Sequence, residues 1–442
     1  MGAGSWASGL EAELNSVRDS LKDGLLPHWV LSDPRLFELE KIRLWPRVWH
    51  FVAHESEVPG KGDFVRRYLG PETQVLVTRS DDEKVRVFLN FCRHRGNSVV
   101  TSDCGNANTF TCSYHGWTYA NDGRLLGVPL EDLFYGKVDR ERTGLIELRS
   151  STYNGLIFAN LDKRAEPLED YLGEFRYYLD LFTKRAEFQY YPPHRWLVRM
   201  NWKEEVDSFG NDPYHHYTTH RSMIELGGRP PNPAVQALGN AVASRKGHKF
   251  GTSGRAARGS ALPESVFPAF YPVWAPKVVE EARKRLSQDQ FQVWFNHLVG
   301  PMVVFPNFAL DQTWVSYGGT GIPFIFVRVY RPVSPRLTEV WSWFVVERDA
   351  PEDFKRASYR AYASSFDPAG NFIADDVENF ENVTTSSAGV YNVREVEDLY
   401  RGGSHRPVLR RTEELTIYDT SFREEVAVSY WLRWIDYLTG RV

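Results

Sequence analysis

Two mixed ligand pairs constrain this chain more than any other feature: Cys92-Arg93-His94, and then Cys112-Ser113-Tyr114-His115. Two thiolates and two imidazoles form the ligand set of a Rieske [2Fe–2S] centre, in which histidines replace cysteines on one iron and raise the reduction potential. Zinc is the competing reading, because Cys₂His₂ also suits a tetrahedral structural site. Zinc fingers, however, space their ligands as Cys-x₂₋₄-Cys and His-x₃₋₅-His, whereas each pair here is mixed. Gly96 follows the first pair and Gly116-Trp117 the second, so each pair is expected on a tight loop tip. Such a domain carries single electrons.

A length of 442 residues allows two or three domains. The net charge of −4, with no basic block, gives no nucleic-acid surface. Only three cysteines occur, and two belong to the ligand pairs, so no disulfide framework is available and a reducing compartment is expected. Cys104 fits neither pair and reads as a packed or tolerated thiol. The N-terminus lacks the charged and apolar regions of a secretory signal, and no apolar run reaches the roughly 18 residues of a membrane helix. The most hydrophobic stretch, Leu298 to Leu310, is broken by Gly300, Pro301, Pro306 and Asn307. We therefore expect a soluble cytoplasmic protein with no membrane partner.

Leu10, Leu14, Val17, Leu21 and Leu25 recur at helical spacing and predict an amphipathic helix. From Trp49 the texture changes to short runs of β-branched and aromatic residues, such as Thr73 to Arg79, Val85 to Asn90 and Gly155 to Leu161, separated by turn residues. This predicts a small all-β domain over 48–165 that carries the cluster and is inserted in a catalytic domain. Residues 1–47 form the first part of that domain and 166–442 the rest, with a charged linker near Asp162 to Glu169. Two long strands are expected at Phe324 to Arg331 and Thr338 to Val346, a helix after Pro351, and a last helix marked by Val426, Tyr430, Trp434 and Leu438. The fold class is α+β, with an antiparallel sheet and helices around it. The segment from Gly227 to Ser260, rich in Gly, Ala, Ser and Pro, reads as a long loop, either a lid over the active site or a remote insertion.

A second constellation lies in Asp212-Pro213-Tyr214-His215-His216-Tyr217-Thr218-Thr219-His220, where three imidazoles and a carboxylate crowd together. Asp375-Asp376-Val377-Glu378 supplies carboxylates downstream, after Pro368-Ala369-Gly370. Two histidines and one carboxylate form the facial triad of mononuclear non-haem Fe(II), which leaves positions open for O₂ and substrate. Spacing alone does not choose the histidines. His216 and His220 would share a face of an ideal helix, whereas His215 and His220 would point about 140° apart, but Pro213 disturbs or starts any helix here.

With both motifs in this order, the chain resembles the large (α) subunit of the Rieske non-haem iron aromatic-ring-hydroxylating oxygenases, of the naphthalene and biphenyl dioxygenase kind. In that family the iron motif runs Asp-x-Tyr-His-x₄-His, matched here by Asp212, Tyr214, His215 and His220. The resemblance implies Cys92, His94, Cys112 and His115 as cluster ligands, and His215, His220 and Asp376 as iron ligands. Asp375 is then a supporting residue. It further implies that Asp212 joins His115 of a neighbouring subunit to His215 as a path for electrons; capping a local helix is a compatible role for the same residue. Ser208, Phe209, His216, Phe366 and Phe372 match substrate-pocket positions. Relatives with the Asn-Trp-Lys opening usually continue to a Glu-Asn pair where this chain has Asp207-Ser208, which removes an amide near the iron. His216 stands where hydrocarbon-oxidising relatives carry small or apolar residues, so a carboxylated, hydroxylated or amino-substituted ring is a plausible substrate.

The expected activity is that of a terminal oxygenase in aromatic hydrocarbon catabolism. It takes O₂ and electrons and converts an aromatic ring to a cis-dihydrodiol or a hydroxylated product. No Gly-x-Gly-x-x-Gly follows a strand, so NAD(P)H oxidation falls to a separate reductase, with or without a ferredoxin. The family implies a homotrimer or an α₃β₃ assembly with a small subunit. Two other readings remain at this point: a Rieske monooxygenase or demethylase acting on a polar aromatic, and a non-catalytic Rieske electron carrier.

Overall fold

The computed structural model describes residues 4–210, 212–226, 239–254, 274–317, 320–389, 391 and 395–442. The chain divides into two compact units, Met1–Leu44 with Glu169–Val442, and Trp45–Leu168. The fold is α+β, a small β unit inserted into a sheet-and-helix unit. Among the described residues no helix is long and apolar enough to cross a membrane.

The inserted unit consists of three small antiparallel sheets. Val85–Leu89, Thr73–Arg79, Asp63–Leu69 and Cys104–Asn106 form one; Arg149–Tyr153, Leu156–Asn160 and His50–His54 form the second; Thr109–Thr111, Thr118–Ala120 and Leu125–Gly127 form the third. Period-two alternation sends side chains to opposite faces, and two apolar clusters result. One gathers Val52, Val65, Val75, Val77, Val87 and Ile157. The other gathers Phe64, Phe88, Phe110, Trp117 and Tyr119 around Cys92 and Cys112, so the two thiols sit in a dry wall. Cys104 is exposed on its short strand.

The larger unit is built on an antiparallel sheet of ten strands among the described residues. Phe188–Tyr190 and His194–Val198 both pair with Leu337–Glu347, followed by Thr320–Ser334, Phe308–Tyr317, His297–Val304, Lys249–Gly254, Ala241–Ser244, Leu415–Tyr418 and Val408–Arg411. The helix Glu352–Ser365 follows Pro351, as the sequence predicts, and packs on Thr320–Ser334. The last helix, Glu425–Leu438, buries Val426, Tyr430, Trp434 and Leu438. The first, Gly4–Ser20, buries Leu10, Leu14 and Val17, while Leu25 falls beyond it on a short strand. The helix Pro34–Arg43 is tied to the rest of this unit by polar contacts as well. Its Glu40 accepts hydrogen bonds from Lys203 Nζ (3.0 Å), Trp434 Nε1 (2.9 Å) and Trp202 Nε1 (3.0 Å), all buried.

The expectation of a continuous loop from Gly227 to Ser260 is corrected. Residues 227–238 and 255–260 lie outside the described residues, but Ala241–Ser244 and Lys249–Gly254 form a hairpin inside the main sheet. Its small residues are the reason. Ala241 and Ala243 let the sheet come close to Tyr418 and to Val426 of the last helix, so little apolar volume fills the space.

Candidate metal centres and substrate pocket

The two cluster pairs sit on loops of matching backbone geometry. Cys92 N–H donates to Asn97 O and Gly96 N–H to Cys92 O, both at 2.8 Å; Cys112 N–H donates to Trp117 O at 2.8 Å and Gly116 N–H to Cys112 O at 2.9 Å. Both turns require a left-handed residue, and Gly96 and Gly116 supply it at φ 75° and 71°. A Cβ at Gly116 would also come within 2.8 Å of Pro129. Together the loops bring His94 and His115 to a ring separation of 4.3 Å, beside the two buried cysteines.

Neighbouring groups orient these side chains. Tyr135 Oη lies 3.0 Å from His94 Nε2, and Trp117 stacks on the His94 ring at 5.2 Å. Nδ1 of His94 is buried without a hydrogen-bond partner among the described residues, free to face an iron. Tyr119 Oη approaches Cys92 Sγ at 3.4 Å and Asn97 Nδ2 approaches Cys112 Sγ at 3.6 Å. Burial pushes the Cys112 thiol up, but the Tyr114 N–H and the Asn97 amide, with further hydrogen bonds, outweigh it and bring its pKa below the ordinary value. Two close cysteines, one with a stabilised thiolate, and a histidine nitrogen lacking any proton partner fit a [2Fe–2S] cluster.

In the larger unit the iron motif is not an α-helix. His215–Tyr217 form one 3₁₀ turn, followed by a loose turn to His220. Helical periodicity, which pairs His216 with His220, therefore does not apply. Instead Asp376 Oδ1 lies 3.6 Å from His215 Nε2 and 3.2 Å from His220 Nε2. Asp375 Oδ2 stands 3.6 Å from His220 Nδ1. Asp212 Oδ2 accepts a hydrogen bond from His215 Nδ1 at 3.0 Å, while its Oδ1 faces the N–H groups of Tyr214 and His215. The helix Asn371–Ser387 delivers both aspartates, and Gly370 precedes it where a Cβ would clash with Ser365 at 2.3 Å. All three histidines, His216 included, bring ring nitrogens within 4.8 Å of one another.

The electrostatics follow from this packing. Burial disfavours the His215 imidazolium, yet Asp212 and then Asp376 outweigh burial and raise its pKa. Asp212 is correspondingly lowered despite its own burial. With the His215 proton on Nδ1, the Nε2 lone pair faces a carboxylate oxygen. A metal ion between two such acceptors would satisfy both, and ligands bound side by side at roughly 2.1 Å from one ion would be about 3 Å apart. The donor set fits iron.

A cavity adjoins this triad. His215, His220 and Asp376 are part of its lining, together with Ser208, Phe209, His216 and Phe366. Phe372 is not part of the lining, contrary to expectation. It stacks behind Phe366 at 5.2 Å and against His220 at 4.7 Å, because it lies on the first turn of its helix; Phe380 lines the cavity instead. The Asp207-Ser208 pair splits. Ser208 faces the cavity, whereas the Asp207 carboxylate accepts hydrogen bonds from Tyr400 Oη (2.7 Å) and Trp431 Nε1 (2.8 Å). Sequence reasoning missed Glu205, Asp311, Thr313 and Arg328, all cavity residues. Arg328 falls in the strand expected at Phe324 to Arg331, and nothing in a strand pattern separates a cavity wall from a packed interior.

Comparison with known proteins agrees with both centres. Residues 48–135 match the Rieske [2Fe-2S] domain model, and residues 168–418 match the model of the ring hydroxylating alpha subunit catalytic domain. The chain is 35% identical over 390 residues to the biphenyl dioxygenase subunit alpha of Paraburkholderia xenovorans (strain LB400), covering 83% of this chain and 80% of the relative. It is 31% identical over 439 residues to the N,N-dimethyl phenylurea N-demethylase subunit alpha of Sphingobium sp. (strain YBL2), covering 96% and 94%. The crystal structure of naphthalene 1,2-dioxygenase from Rhodococcus sp. bound to indole superposes with a TM-score of 0.92 at 33% identity over 98% of both chains. The chain thus belongs to the α subunits of the ring-hydroxylating Rieske non-haem iron oxygenases, enzymes that pair a [2Fe–2S] domain with a catalytic domain that binds mononuclear iron.

Proposed function

We propose that this α subunit is the terminal oxygenase of a multicomponent system that dihydroxylates an aromatic ring. Arene, O₂, two electrons and two protons combine to a cis-dihydrodiol. The observation that carries this reading is the convergence of His215 Nε2, His220 Nε2 and Asp376 Oδ1 in the lining of a cavity that Phe209 and Phe366 also wall. Mononuclear iron held by these three residues supplies the binding and activation of O₂. Cys92, His94, Cys112 and His115 hold the cluster that stores one electron.

The chain's own residues position and conduct. Asp212 fixes the His215 tautomer and ring plane through the 3.0 Å hydrogen bond. In a trimer, with or without a small subunit, Asp212 links His115 of the partner subunit to His215. Phe209 and Phe366 hold the ring of the substrate, and their apolar faces keep bulk water away. Electrons come from NAD(P)H through a separate reductase, with or without a ferredoxin.

A second reading is oxidative N-demethylation, favoured by the length of the match to the phenylurea N-demethylase and by the polar part of the cavity. There the N-methyl substrate, O₂, two electrons and two protons yield the demethylated amine, formaldehyde and water. Product analysis under ¹⁸O₂ separates the two. Two labelled oxygens in a ring diol support dihydroxylation, whereas formaldehyde without a diol overturns it in favour of demethylation.

A further inference from the structure

The cavity wall one helical turn before Phe209 contains a buried carboxylate with an unused oxygen. Glu205, on the helix Trp202–Ser208, is 3% exposed and lines the cavity. Its Oε1 accepts hydrogen bonds from Arg328 and from Tyr330 Oη, the latter at 2.9 Å. Its Oε2 is buried and has no hydrogen-bond partner among the described residues. A buried acceptor left without a donor is costly, and a group that satisfies it on binding gains what water cannot supply there.

The surrounding charges set the sign of that group. Arg328 gives its terminal nitrogens to Glu205 and to the Phe366 carbonyl, and its guanidinium lies against the rings of Phe326 and Trp196 at 4.7 and 5.6 Å. Asp311 adds a second carboxylate to the lining, whereas Asp376 belongs to the iron triad. An anionic substituent would enter beside the carboxylates of Glu205 and Asp311; a neutral or cationic donor would not meet that repulsion.

We propose that Glu205 is a specificity-determining residue whose Oε2 selects aromatic substrates bearing an N–H or O–H donor, and that the cavity rejects ring carboxylates. This rests on the oxygenase reading above and names the substrate class of the same site. It extends the expectation from His216 and removes the carboxylated ring from it.

The test is calorimetric binding of matched ligands to the oxidised holoenzyme: aniline, phenol, toluene and benzoate, which share size and differ in donor and charge. Aniline and phenol are expected to bind at least about tenfold tighter than toluene, with benzoate the weakest. The two donors separate N–H from O–H recognition. Toluene binding as tightly as both donors, or benzoate binding tightest, overturns the proposal; the latter would assign recognition to the Arg328 Nε–H, which also lacks a partner among the described residues. A double variant, Glu205→Leu with Arg328→Met, removes both charges and avoids a lone buried ion. With folding checked by the cluster spectrum, its aniline-to-toluene ratio should fall to within about threefold of unity, and an unchanged ratio overturns the proposal. Should that variant not fold, the wild-type panel decides. Because binding is read without turnover, failure of the oxygenase reading appears separately, as absence of oxygenated product from every aromatic tested.

Discussion

Asp212 Oδ2 accepts a 3.0 Å hydrogen bond from Nδ1 of His215, which turns the opposite nitrogen of that ring toward Asp376. Asp212→Asn keeps the size but removes the charge that orients and polarises the imidazole. Both metal centres should stay occupied and the cluster should still be reduced by its donor, while product formation falls by about 100-fold or more. Metal analysis and stopped-flow reduction, set beside turnover, read these separately. Near wild-type activity in the Asp212→Asn enzyme would refute the bridging role.

The three histidines should differ. His215→Ala and His220→Ala are expected to lose mononuclear iron and all oxygenation while keeping the cluster absorbance. His216→Ala is expected to keep iron and change substrate preference, since that ring lines the cavity. Iron per chain, measured with the visible spectrum as the internal standard, checks this. Loss of iron from the His216→Ala enzyme alone would reassign the ligand.

Cys112→Ala removes a thiolate from the dry wall formed by Phe110, Trp117 and Tyr119. Water cannot replace it there, and ligand binding is coupled to local folding. The visible Rieske bands should vanish, and the inserted unit should become more sensitive to proteolysis. A normal Rieske spectrum in this variant would disprove the ligand assignment.

Two buried histidines predict an acid-sensitive fold. Burial pushes His50 down to about 4 and His248 down to about 3. His248 is locked as a neutral ring, donating from Nε2 to Tyr171 O at 2.9 Å and accepting the Phe305 N–H on Nδ1 at 3.0 Å. Below the unfolded value of 6.5 the unfolded chain takes up protons that the folded rings refuse, so this contribution is fully present above that pH and is lost as pH falls toward 4. The loss is roughly 3 kcal/mol per ring at pH 4. Denaturant midpoints from pH 7 to 4.5 should fall more steeply for the wild type than for His248→Gln. Parallel slopes would remove His248 from the account.

Much of the architecture is legible because burial imposes a period. Thr73–Arg79 is a strand within the bounds its residue types predict, and the last helix buries the side chains its spacing marks. Periodicity loses its force where the backbone is irregular: His215–Tyr217 is a 3₁₀ turn, so a rule based on 3.6 residues per turn has no hold on which histidine sits beside His220. It loses force again in Ala241–Ser244 and Lys249–Gly254, where small side chains hide a sheet hairpin inside a loop-like composition. The partnership of Glu205 with Arg328 lay beyond any local pattern, since a long stretch of chain separates a helix residue from a strand residue.

The larger unit is discontinuous, and its first 44 residues join the chain that begins again at Glu169. Glu40 emerges from the ribosome well before Lys203 and Trp202, and Trp434 is made later still. During synthesis the inserted unit has all its strands in hand while Glu40 waits as a solvated charge. Vectorial folding thus places electron-transfer domain assembly first, and leaves the enzyme's keystone to the final turns of its last helix.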